Sequence, residues 1–99
     1  MSGRATSLDY QIQLAEELRR YLHGFQDRLG YVAQSYRSYS DKLYEAGMLD
    51  EPHRNFSENY MEVTVQKIGS LVEQINECDI PFVERYIAEL EEMQGRYRA

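Results

Sequence analysis

The sequence predicts an all-α protein, an antiparallel helical hairpin, and three observations carry that prediction. Leu18, Leu22, Phe25, Leu29, Val32, Tyr36, Tyr39 and Leu43 follow one another at spacings of four and three without a miss. A strand would need alternation, whereas this rhythm lines one side of a helix. Met61, Thr64, Ile68, Leu71, Ile75, Cys78 and Phe82 form a second such seam, widened by Val65 and Val72. Between the two stand Gly47, Asp50 and Pro52, which stop one helix and start another.

Each element has a local reason. Residues 1–6 read as a frayed tail, with Thr6 or Ser7 capping a helix that spans 7–46 and Asp9 favourably placed in its first turn. Gly24 and Gly30 lie inside that helix, where each costs about 1 kcal/mol relative to Ala. They suggest a bend or the close approach of another backbone. Gly47 supplies a left-handed residue, Met48-Leu49 fold back on the last turn, and 47–51 form a short connection, the kind that joins antiparallel neighbours. The second arm is expected over 51–78. It then kinks or breaks at Asp79-Ile80-Pro81, because Pro81 cannot donate its N–H and Asp79 can cap a restart. A last helix over 80–97 would carry Phe82, Tyr86, Leu90, Met93 and Tyr97 inward. Matched arm lengths favour a kinked hairpin over a three-helix bundle.

Composition agrees with an elongated helical protein. The 99 residues suit one domain, and a chain this short buries only about two thirds of its unfolded surface. Glu, Leu, Arg, Gln and Ala are common while Gly and Pro are sparse, which is helix-friendly usage. The net charge of −6 falls wholly in residues 50–99, since acids and bases balance in the first half. Nucleic acid and anionic membrane both require a basic footprint, so neither is expected as the main partner. No apolar run approaches the ~20 residues of a membrane span, and Met1–Ser7 lacks a signal-peptide core. The expected destination is the cytoplasm, or export without a cleaved signal peptide. Lone Cys78 reads as a buried small hydrophobe.

The apolar surface is wider than one hairpin can cover. Ile12, Leu14 and Tyr21 lie beside the first seam, and Val65, Val72, Val83 and Ile87 beside the second. With Tyr31 and Tyr44, which fall off the seam, these form the candidate interface. A homodimer forming a four-helix bundle would cover the excess, as would a different helical partner. Nine tyrosines suit that role, because the ring buries while the hydroxyl stays wet; Tyr36 and Tyr39 are expected in the core or its rim.

Catalytic chemistry finds little support. Di-metal bundles need paired Glu-x-x-His motifs, but Arg20 and Asp50 stand three residues before His23 and His53. The glutamate pairs Glu16-Glu17 and Glu91-Glu92 fall on polar faces, and no Gly-rich phosphate loop occurs. Neither an enzyme, a metal nor a cofactor is expected.

In layout, with a long helix, a mid-chain Gly turn and a second helix, the chain resembles the small WxG-motif proteins of type VII secretion. It is also similar to the helical helpers that accompany LXG toxins. Leu43-Tyr44-Glu45-Ala46-Gly47 stands where that family carries Trp-x-Gly, although the chain has no tryptophan. The family's export signal has an aromatic four residues before an acid, whereas here Tyr86 is followed at that distance by Leu90. The resemblance implies an exported substrate or a helper pairing with an exported toxin. An intracellular adaptor coiled coil is the alternative.

Overall fold

The computed structural model describes residues 3–47 and 50–98. Helix α1 spans Gly3–Glu45. The second arm comprises α2 (Glu51–Phe56), a π-helical turn at Ser57–Met61, α3 (Glu62–Gln74), a second π-helical turn at Ile75–Asp79, and α4 (Ile80–Arg98). No strand occurs among the described residues, and the architecture is an all-α helical hairpin.

Helix α1 starts earlier than expected. Thr6 and Ser7 lie inside it rather than capping it, and the Ser7 hydroxyl accepts a hydrogen bond from Gln11 Nε2 at 3.2 Å. Met1, Ser2 and the expected fold-back of Met48-Leu49 lie outside the described residues. The turn itself is built as its residues dictate. Gly47 has φ 86°, a conformation that glycine adopts without Cβ strain, and its N–H donates to the Tyr44 carbonyl at 3.0 Å. Asp50 caps α2 by accepting the His53 backbone N–H at 3.1 Å, and Pro52 sits in the first turn.

The second arm does not break at Pro81. In a regular α-helix its ring would press on the carbonyl four residues back, and that carbonyl would lose its donor. The wide turn at Ile75–Asp79 ends two residues before Pro81 and contains the position four residues back from it, and the helix runs on into α4. Asp79 therefore caps nothing. Helix α4 packs on the N-terminal part of α1, through Leu90 against Leu8 and Ile12, so it continues the second arm rather than folding back.

By its internal contacts the chain divides into two units. One comprises residues 1–25 and 75–99. Here Leu8 and Ile12 meet Leu90, while Ala15 packs with Val83 and Ile87 and with half-buried Leu22. The other, residues 26–74, buries Ala33, His53 and Met61. Its arms are tied by Gln26 Nε2 donating to the Val72 carbonyl and by the Ser40 and Ser57 hydroxyls, each at 3.3 Å. In both units low numbers on α1 meet high numbers on the second arm, so each pair is antiparallel.

Candidate interaction face

The stripe that α1 buries is not the most apolar one available. Leu8, Ile12, Ala15, Arg19, Leu22, Gln26, Leu29, Ala33, Tyr36, Ser40 and Leu43 recur at strict spacings of four and three. All are buried or half-buried except Tyr36, which is 36% exposed. This stripe shares Leu22, Leu29, Tyr36 and Leu43 with the predicted seam. Leu18, Val32 and Tyr39, the other side of that seam, are exposed instead, and Phe25 is half-buried. Branched aliphatics and alanines fill the space between the helices, where close packing favours compact side chains. Among the described residues no aromatic is buried, and all nine tyrosines are exposed, so Tyr39 at 62% belongs to the surface rather than to the core.

The second arm repeats the pattern with a shift. A regular helix continuing from Ile75 would next bury positions 79, 82, 86 and 89. The π turn adds one residue, and Ile80, Val83, Ile87 and Leu90 are buried in their place. Phe82 and Tyr86, expected inside, are exposed; so are Met93 and Cys78.

These registers relocate the candidate interface. Ile12, Val83 and Ile87 pack within the chain's own core and are closed to any partner. Val65 and Val72 are half-buried between the arms. Leu14, Tyr21, Tyr31 and Tyr44 are exposed, Tyr31 at 73%. Sequence reasoning passed over Phe56, Tyr60 and Val63, which are exposed as well. The signal that finds them is their position one residue before Ser57, Met61 and Thr64, three buried or half-buried residues.

That one-residue offset defines a face. On a right-handed helix the residue before a buried position turns about 100° to one side, and the residue after it about 100° to the other. Antiparallel chain direction brings the preceding residues of both helices to the same side. In the unit 1–25/75–99 the preceding residues include Leu14, Leu18 and Tyr21 on α1 with Phe82, Tyr86 and Met93 on α4, while Ser7, Gln11, Asp79 and Glu89, before Leu8, Ile12, Ile80 and Leu90, add polar groups to that side. The following residues include Asp9, Gln13, Glu16, Arg20 and His23 with Glu84, Ala88, Glu91 and Gly95, a set with no large apolar side chain. In the unit 26–74 the same rule gives Val32 and Tyr39 with Phe56, Tyr60, Val63 and Leu71 on the apolar side. A surface cleft lined by Arg37, Asp41, Glu62 and Gln66, beside Ser40 and Met61, shows following residues of both arms sharing one side. Ring contacts run along the apolar stripes: Tyr21 lies 6.1 Å from Phe25, Phe56 lies 6.0 Å from Tyr60, and the Lys42 ammonium sits 5.1 Å from the centre of the Tyr39 ring.

The surface holds no metal-binding cluster among the described residues. No three His, Cys, Asp or Glu side chains converge there in a way that could hold a metal ion. Asp50 and His53, the one pair with suggestive spacing, are joined as a helix cap. No helix among the described residues is long and apolar enough to cross a membrane. No protein-family model, curated protein or solved structure matches the chain.

Proposed function

We propose that this chain is a non-enzymatic interaction module, whose apolar side is covered by a second helical protein to complete a helical bundle. The observation that carries this reading is the exposed stripe Leu14, Leu18, Tyr21 with Phe82, Tyr86 and Met93, set against a polar opposite side. Apolar groups concentrated on one side of a helical pair lose contact with water when a further helix packs there.

Affinity isolation from native cells tests it. Leu18→Asp with Phe82→Asp should lose the partner that the unaltered chain retains. Gln13→Glu with Ala88→Glu, on the opposite side, should keep it. Equal recovery with both pairs, each still helical by circular dichroism, would contradict the assignment.

The likeness of layout to type VII secretion proteins supports a finer reading, in which the partner is an exported toxin and the chain a substrate or helper. A tagged chain recovered from culture supernatant only when the type VII apparatus is present would support that reading. Retention in the cells with or without the apparatus would favour an intracellular adaptor.

A further inference from the structure

We infer that in the unit formed by residues 26–74 the apolar side recognises an acid-rimmed amphipathic helix, a helix whose apolar stripe is bordered by Asp and Glu. This rests on the interaction reading above and adds the chemistry of the partner.

The acids that flank the buried stripes of this unit fall on one side, with Arg37 and Arg54 among them, although the chain as a whole carries −6. Asp27, Asp41, Glu58, Glu62 and Glu73 each come one residue after a buried or half-buried position, here Gln26, Ser40, Ser57, Met61 and Val72. All five therefore turn to the polar side. Arg28, Lys42 and Lys67 each come one residue before such a position, namely Leu29, Leu43 and Ile68, and all three are exposed. The apolar side thus carries three cations interspersed among Val32, Tyr39, Phe56, Tyr60, Val63 and Leu71, and no Asp or Glu shares those positions.

That distribution selects among occupants. A second copy presenting the same side would bring like charges together, which costs affinity rather than adding it. Its other side is polar and acidic and offers no apolar stripe to bury. An apolar helix edged with carboxylates suits both the hydrophobic surface and its positive charge, and it would exclude helices edged with lysine.

Two labelled peptides of ~28 residues (four heptads) test the inference. Both carry one leucine stripe, bordered by Glu in the first peptide and by Lys in the second. Titration of each with the full chain is read by fluorescence anisotropy. The Glu-bordered peptide should bind about tenfold tighter at low salt, three exposed pairs each adding a fraction of a decade or so. The preference should shrink at ~0.5 M salt, where exposed charges are screened. R28E/K42E/K67E should reverse it, and K67E alone should weaken it. Equal binding of both peptides would overturn the charge assignment while leaving the interaction reading standing. Binding of neither would overturn both. Co-sedimentation of the chain with phosphatidylglycerol vesicles, lost in R28E/K42E/K67E, would overturn the inference by giving the side to lipid. Self-association abolished by Leu71→Glu would give it to a second copy and overturn it as well.

Discussion

Gly47 and Asp50 hold the connection between the arms by local chemistry alone, so each is open to a direct test. At φ 86° an added Cβ meets its own backbone, although no other atom lies within 4 Å of it. Gly47→Ala should therefore lower stability by about 1 kcal/mol through backbone strain alone. Asp50→Ala removes the side-chain acceptor for the His53 N–H and should cost about 1 kcal/mol. Gly30 gives the opposite sign. It lies mid-helix in α1 with open space where a Cβ would go, so Gly30→Ala should stabilise by about 0.5–1 kcal/mol. Urea unfolding midpoints of the three variants measure all of this; an unchanged Gly47→Ala midpoint would refute the strain argument. The open space at Gly30 also disposes of close backbone approach there as the reason for that glycine.

At the level of helices, the π turn before Pro81 decides which residues are core. Ile87 is 6% exposed and Tyr86 42%. Ile87→Ala should lose roughly 2–4 kcal/mol by emptying part of the core, whereas Tyr86→Ala should lose less than about 1 kcal/mol. The reverse order in thermal or chemical unfolding would mean that α4 keeps the unshifted register. This is also where the sequence reading stopped short. Helix type, turn and pairing sense follow from spacing, from Gly47 and from Asp50-Pro52, all of which act locally. Register does not. On α1 two stripes share Leu22, Leu29, Tyr36 and Leu43 and differ by one residue elsewhere, Leu18 against Arg19 and Phe25 against Gln26. Hydropathy selects the first of each pair, yet Arg19 is half-buried where Leu18 is exposed, and Gln26, half-buried like Phe25, bonds its amide across to the Val72 carbonyl. On the second arm no pattern in Ile75–Asp79 announces an extra residue; Pro81 signals a disturbance without saying whether the helix ends or widens.

Across the molecule, the apolar sides are what a binding partner would meet, and charge decides which partner suits. Wide apolar surface was legible in the sequence, because more large side chains recur than one seam can hold. Its true members were not, since Ile12, Val83 and Ile87 turn inward while Phe56, Tyr60 and Phe82 turn outward. Tyrosine reports both outcomes. Tyr39 and Tyr60 lie on the apolar side of the unit 26–74, whereas Tyr44 follows Leu43 on the polar side, and the most exposed tyrosine, Tyr31, comes two residues after Leu29, beyond that stripe. Hydroxyl-radical footprinting with and without the Glu-bordered peptide therefore tests the central claim directly. The account predicts protection of Tyr39 and Tyr60 with Tyr31 and Tyr44 unchanged; protection of Tyr31 and Tyr44, or uniform change at all four, would contradict it.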